Sequence, residues 1–364
     1  MEIVNIGMVG VGGSGGWGHF PGYMMIPDKA RIAAICDTNV EAAREKARLV
    51  SAKTYTDYHE MLKDPKIDAV DICLPHFLHG KVALDALEAG KHVMVEKPFT
   101  TTLEEADAVI SASKRQKLKL MVAENTRFVN AYEVAKSFVD EGIMGKILFA
   151  RTYIGGMDPF IGAHVLGRGT SDENNWRNFQ KKAGGGAIFD GGVHSFYLLE
   201  WMIGKIKSVT AVDARSEFSG PVSEVDDNAS GIVELDNGGI ASFSVTFTSE
   251  IPWTERLELN GTRASIIVDM LSERPVQIFA NRSPKPESES SAERIFRQAL
   301  WEEPIVMHSV LDWKSASMRK EVGHFVECVM MNKEPLVTGE DGRRGIELAI
   351  KSYESAESGK KVTI

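Results

Sequence analysis

The stretch Ile3-Val4-Asn5-Ile6-Gly7-Met8-Val9-Gly10-Val11-Gly12-Gly13-Ser14-Gly15 decides the reading of the fold. Residues 3–9 are a mostly apolar run that reads as a buried strand. Gly10-Val11-Gly12-Gly13-Ser14-Gly15 follows at once, a G-x-G-x-x-G spacing set after a strand and before a helical segment. Gly10 permits the tight turn, Gly12 lets the backbone approach a pyrophosphate, and Gly15 lets helix pack on strand. The loop, with Gly13 and Ser14, leads into a helix N-terminus whose N–H groups suit phosphates. A second strand, 31–36, ends on Asp37, at the distance where a carboxylate accepts hydrogen bonds from an adenosine ribose and repels a 2′-phosphate. Thr38-Asn39 bring no arginine, so the pattern favours NAD over NADP.

Downstream the alternation continues. Thr38-x-x-Glu41 reads as a capping box for a helix toward Val50. A short strand near 53–55 and a helix over 58–63 follow. Strand 69–74 ends at Pro75, and strand 92–95 runs into Glu96-Lys97-Pro98. Helices are predicted over 78–89 and from the capping box Thr102-x-x-Glu105 to about 117, and a sixth strand over 119–123. Strands and helices at this pitch predict a doubly wound parallel sheet. Lys97, at the carboxyl end of a strand, is placed to donate to a substrate oxygen and favour a developing alkoxide; a surface ion pair with Glu96 is the alternative.

At 364 residues the chain suggests two domains, a dinucleotide-binding one over 1–123 and a second over 124–364, with the last helix free to pack back on the first. A net charge of −9 argues against nucleic-acid or anionic-membrane partners. Cys36, Cys73 and Cys328 are isolated, which suits a reducing compartment. No segment has the roughly 18 apolar residues of a membrane span, and the N-terminus runs straight into a strand, so a cytoplasmic protein is expected. His19, His76 and His79 are each either cofactor contacts or packing residues, and no ligand spacing suggests a metal.

The second half is read as a helix over 132–140, a strand over 146–154, and a long polar, glycine-rich loop over 155–186. That loop contains Asn174-Asn175-Trp176-Arg177, and its length suits contact with substrate hydroxyls. Gly184-Gly185-Gly186-Ala187-Ile188-Phe189-Asp190-Gly191-Gly192-Val193-His194 opens a helix predicted over 189–202. Asp190 and His194, four apart, share a face as a carboxylate–imidazole pair suited to proton transfer; a cap and a core histidine are the plainer reading. Strands near 206–217, 229–236, 239–248, 254–260 and 263–269, with turns at Asp236-Asn237-Gly238 and Asn260-Gly261, predict an antiparallel sheet. Phe243, Val245 and Phe247 alternate onto one side of it, predicted to be an open apolar face buried in a homodimer or homotetramer. A polar loop over 282–293 and helices over 315–331 and 340–357 complete the chain.

Taken together, Gly10–Gly15, Asp37, Leu74-Pro75-His76-Phe77-Leu78-His79, Ala89–Pro98, Asn125-Thr126-Arg127-Phe128 and Gly185-Gly186-x3-Asp190-x-Gly192-x-His194 resemble the Gfo/Idh/MocA family of glucose–fructose oxidoreductase and inositol 2-dehydrogenase. The matching stretches run in the family's order to about residue 200. The resemblance implies a Rossmann domain followed by an α/β domain with an open-faced, mostly antiparallel sheet. It implies cofactor contacts from Leu74, Pro75, His76, His79, Glu96, Lys97 and Asn125, and that Lys97, Asp190 and His194 converge beside the nicotinamide, with Arg127, Trp176 and Arg177 toward the substrate. The expected activity is hydride transfer between NAD and a secondary alcohol of a sugar, cyclitol or related polyol. A redox-neutral enzyme that retains NAD, or a ligand sensor, are the rival expectations.

Overall fold

The computed structural model describes residues 3–156, 175–216, 221–280 and 313–364. The tip of the 155–186 loop, Asn174 included, and the 282–293 loop lie outside the described residues. Two compact units form, one from Met1–Phe128, Asn174–Gly185 and Lys314–Glu347, the other from Val129–Glu173, Gly186–Trp313 and Leu348–Ile364.

The first unit is built on β1 (Val4–Val9), β2 (Ala30–Cys36), β3 (Lys53–Tyr55), β4 (Ala69–Ile72), β5 (His92–Glu96) and β6 (Leu120–Ala123). They pair in the order β3-β2-β1-β4-β5-β6, every neighbour parallel. β4, in the middle of the sheet, is buried along its whole length, as a strand covered on both faces must be; β6, at the edge, is buried throughout as well. A π-helical turn, Gly15–His19, leads into α1 (Phe20–Met24); α2 (Val40–Val50), α3 (Tyr58–Leu62), α4 (His76–Glu88) and α5 (Leu103–Gln116) follow. The cap of α2 is Asn39, not Thr38: its side chain accepts from Ala42 N. Thr102 caps α5 as predicted, accepting from Glu105 N. Thr338 forms a β-bridge with Met121 beside β6.

The second unit holds α6 (Asn130–Asp140) and an eight-stranded sheet of β7 (Ile147–Gly155), β8 (Ile206–Ala214), β9 (Asn228–Leu235), β10 (Ile240–Thr246), β11 (Thr254–Gly261), β12 (Ala264–Asp269), β13 (Val276–Ala280) and β14 (Val362–Thr363). Its order is β13-β12-β11-β7-β10-β9-β8-β14. β7 inserts between β10 and β11, parallel to the first and antiparallel to the second, so the sheet is mixed. The second predicted hairpin shifts by two residues. Gly261 still belongs to β11, after a register irregularity at Asn260, and the turn falls on Thr262-Arg263.

After the short α7 (Gln180–Ala183), the predicted helix 189–202 appears as α8 (Ala187–Asp190) and α9 (Gly192–Met202), joined through Gly191 in right-handed helical conformation. The remaining helices are α10 (Trp313–Met331) and α11 (Gly339–Ser358). The sheet side carrying Phe243, Val245 and Phe247 is not open. All three are buried within this chain, and Phe196 of α9 meets Phe243 edge-on at 5.0 Å. The chain covers that side with its own apolar helix. The other side carries Ser242, Ser244 and Thr246, with Val212, Ile232 and Ile240 exposed.

Candidate active site

In the first unit the predicted residues gather at the carboxyl ends of the parallel strands, where loops leave the sheet and ligands bind in this topology. Gly10 turns the chain at φ +89°, and a Cβ there would stand 2.1 Å from the Cys73 carbonyl oxygen. By contrast, Gly12 and Gly13 have nothing within 4 Å of a built Cβ. No internal packing demands glycine at these two positions, and the space suits an approaching pyrophosphate. Asp37 braces the loop: Oδ2 accepts from Val11 N and Oδ1 from Asn39 N, both at 2.8 Å. A carboxylate has lone pairs left for ribose hydroxyls after two such bonds. The glycine loop, its open edge and Asp37 therefore fit an adenine dinucleotide.

Beside β1, the ends of β4 and β5 supply Leu74, Pro75, Glu96 and Lys97. Glu96 is buried, and its Oε2 accepts from Lys97 N at 3.0 Å. Burial pushes its carboxyl up, but the His19 ring, the Lys97 ammonium and the Ser14 hydroxyl outweigh burial and hold it down at about 2. Lys97 is half-buried, and the Lys97-Pro98 peptide bond is cis.

His79 is fully buried, with its ring nitrogens 2.8 Å from the carbonyl oxygens of Pro98 and Leu74. Burial keeps its pKa below the ordinary histidine value. It ties the strand-end loops of β4 and β5 together, which leaves its ring little to offer a cofactor. His76, also buried, has Nδ1 2.8 Å from the Ala183 carbonyl oxygen and meets the Trp176 ring edge-on at 4.5 Å. The Arg177 guanidinium lies over the other ring of this stack, 4.2 Å from the Trp176 centroid. Asn125 Nδ2 donates to Ser317 Oγ at 3.3 Å, and Arg127 is half-buried two residues on.

In the second unit, Asp190 ends α8 and His194 sits in the first turn of α9, the former half-buried, the latter buried. What holds this pair was not legible beforehand. Asp226 Oδ1 accepts from Gly186 N and Oδ2 from Ile188 N, each at 2.9 Å, while the Asp226 carbonyl accepts from Ala187 N at 3.0 Å. Tyr353 OH donates to Asp226 Oδ1 at 2.5 Å and accepts from Gly186 N. A Cβ at Gly186 would stand 1.8 Å from the Asp226 carbonyl oxygen, so this contact requires glycine. One carboxylate thus caps the first turn of α8 and fixes where the Asp190/His194 segment starts.

A second feature missed in the sequence lies in the first unit. Among the described residues His19, Cys73 and Glu96 bring donor atoms within 4.8 Å of one another. The three lie on separate elements, so linear spacing gives no sign of them. Asp71, a carboxylate inside the otherwise apolar β4, is the one visible hint.

A glycine loop on a parallel sheet ordered 3-2-1-4-5-6, in one chain with a second α/β unit carrying an Asp/His pair, defines a two-unit NAD-binding oxidoreductase. The chain belongs to the Gfo/Idh/MocA oxidoreductase family: the family's NAD-binding Rossmann fold matches residues 4–124 and its C-terminal alpha/beta domain residues 136–364. It is 32% identical over 302 residues to levoglucosan dehydrogenase of Pseudarthrobacter phenanthrenivorans, covering 73% of this chain and 74% of the relative. It is 25% identical over 365 residues to myo-inositol 2-dehydrogenase of Thermotoga maritima, covering 99% and 98%. Among solved structures it resembles levoglucosan dehydrogenase in complex with NADH and levoglucosan, at a TM-score of 0.82, 25% identity and 100% coverage of both chains. No helix among the described residues is long and apolar enough to cross a membrane.

Proposed function

We propose that the protein catalyses reversible, NAD-dependent oxidation of a secondary alcohol on a sugar, cyclitol or related polyol. The observation that carries this reading is Lys97 at the carboxyl end of β5, in the same parallel sheet as the glycine loop, in a chain that also holds the Asp190/His194 segment. Bound NAD supplies the hydride acceptor. The protein must remove the hydroxyl proton as hydride leaves carbon, and polarise the same oxygen. His194, oriented by Asp190, is assigned the base, and Lys97 the polarising cation. The stack of Trp176 and Arg177 offers a flat, cationic surface suited to a ring rich in hydroxyls, and Arg127 is assigned to substrate as well. Gly10, Gly12, Gly13, Ser14, Gly15, Asp37, Leu74, Pro75, His76, Glu96 and Asn125 are assigned to the cofactor. In this reading residues 1–123 hold NAD and 124–364 hold substrate and subunit contacts.

The direct test is a panel of sugars and inositols with NAD and NADP, read as absorbance of the reduced cofactor. At least one should turn over, with a higher kcat/KM for NAD, and Asp37→Ala should narrow the gap; silence across the panel with both cofactors would sink the reading. Assembly in the cytoplasm as a homodimer or homotetramer completes the proposal, now resting on the sheet side with Val212, Ile232 and Ile240 exposed at 67%, 55% and 45%. Light scattering that returned the mass of one chain at micromolar concentration would contradict it.

A further inference from the structure

Below the loop that carries Lys97 lies a buried set of charged groups centred on His19. His19, from the turn after the glycine loop, is fully buried. Its Nδ1 lies 3.0 and 2.9 Å from the two oxygens of Asp71 on β4. Its Nε2 faces Glu96 Oε1 at 3.4 Å and Glu321 Oε2 of α10 at 3.6 Å. Cys73 Sγ is 3.4 Å from Nδ1, and Tyr23 of α1 is buried beside the same group, with Glu124 further out. Glu321 is 1% exposed, and neither of its oxygens has a hydrogen-bond partner.

Geometry and charge together assign the protons. Asp71 only accepts when ionised, so Nδ1 carries a hydrogen. Nε2 makes no hydrogen bond but faces the Glu96 and Glu321 oxygens at 3.4 and 3.6 Å, an electrostatic setting that favours a second proton and an imidazolium at His19. Burial alone would lower its pKa, but the Asp71 carboxylate beside Nδ1 raises it well above the ordinary value. Three buried carboxyl groups around one cation still exceed it, and Glu321, with no donor of its own, holds a proton: burial drives its pKa well above the usual carboxylate range. Burial likewise pushes the Cys73 thiol up, so it adds no charge. What remains is a line from Asp71 through His19 to Glu96, whose second oxygen receives Lys97 N.

We propose that His19, fixed by Asp71, is a positioning residue that keeps Glu96 a carboxylate turned toward the Lys97 backbone. The ring touches neither substrate nor reacting atoms in this assignment; it acts through Glu96. Its consequence for turnover rests on Lys97 acting on the substrate, whereas its consequence for the charge of Glu96 does not, and the two are read separately.

The experiment uses the full-length protein with His19→Gln, His19→Gln/Glu96→Gln and Asp71→Asn. Infrared spectra on acidification should show a new carboxylic-acid carbonyl band in His19→Gln that is absent from the parent and from the double variant. This follows because burial dominates Glu96 once the imidazolium is gone, and a raised pKa protonates it as pH falls. On the best substrate, kcat/KM of His19→Gln should gain an acid limb falling roughly tenfold per pH unit, while NAD affinity stays within about threefold of the parent. Asp71→Asn, which keeps a hydrogen-bonding side chain, should show the same limb more weakly, and it carries the test if His19→Gln does not fold. A pH profile parallel to the parent, with no new band, would reduce His19 to a packing role. A stoichiometric metal ion in the purified parent, lost in His19→Gln, would also overturn the proposal, because the donors would then be ligands. A band without any turnover in the parent would uphold the role of His19 and remove the dehydrogenase reading instead.

Discussion

At the end of β5, Lys97 follows a carboxylate held by a buried imidazole, and the hold is ionic: Asp71, His19, Glu96 and Glu321 share charge and protons in the sheet's interior. At the start of α9, His194 follows a glycine-rich turn whose backbone is hydrogen-bonded to the single carboxylate of Asp226, with Tyr353 behind it and the apolar side of β10 beneath. The difference has a physical consequence. An ionic anchor responds to pH and to the loss of one charge, because the partner left behind is buried and unpaired. A backbone anchor responds to the loss of its acceptor or of packing volume, and to pH only in acid, where the Asp226 carboxyl, its pKa raised by burial, takes up a proton.

The sharpest way to break that comparison is to remove the chemistry at each end. Lys97→Ala and His194→Ala should each cut kcat by about 10²–10⁴-fold, the usual worth of general acid–base catalysis. NAD binding by calorimetry should stay within several-fold of the parent, since the glycine loop and Asp37 are untouched. A fall confined to NAD affinity would move Lys97 from the proton chemistry to cofactor binding.

Packing comes next. Phe243→Ala should cost about 3–5 kcal/mol of unfolding free energy, as deletion of a buried aromatic side chain does, and denaturant melts measure it. A cost near zero would mean that the sheet side under α9 is looser than its burial indicates. Asp226→Ala should cost less, about 1–3 kcal/mol, through the backbone N–H groups of Gly186 and Ile188 left without their acceptor. It should lower kcat more than the Phe243 change does per unit of lost stability, because α8 then starts in the wrong place.

The smallest effect separates the two anchors by pH. Glu321 has a folded-state pKa above its unfolded value, so the stability it contributes is complete below the unfolded carboxylate pKa and is lost as pH rises through the folded value. Glu321→Gln, which mimics the protonated acid, should leave the melting temperature unchanged in acid and raise it by a few degrees at alkaline pH. A uniform drop at every pH would show that the carboxyl group is not protonated in the fold.

Local rules carried the first unit well. Gly10–Gly15 after an apolar strand, Asp37 closing the next strand, and helices ended by Gly90 and started by Thr102 each report a backbone need at their own position. The second unit was legible strand by strand but not in its assembly. β7 reaches β10 and β11 from about a hundred residues away, and nothing local in Ile147–Gly155 names those partners. For the same reason the alternation of Phe243, Val245 and Phe247 was readable but its direction was not: a period of two shows that one side is apolar, not whether a helix of the same chain covers it. Asp226 and Tyr353 lie far from Gly186 in sequence and carry no motif, so the clamp on α8 emerges only from the fold. His19 and Asp71 show a subtler failure. His19 was read as a cofactor contact or a packing residue and Asp71 was not singled out, whereas their significance is the charge they share.

We propose that Lys97 and His194, though anchored differently, serve one proton transfer. The measurement that meets it head-on is the single-turnover rate of hydride transfer for Lys97→Ala, His194→Ala and the double variant on the best sugar or cyclitol. Groups that act as one unit lose little more together than the worse of them loses alone. The double variant should therefore fall close to the slower single variant. Losses that multiply, or full turnover in His194→Ala, would contradict the account.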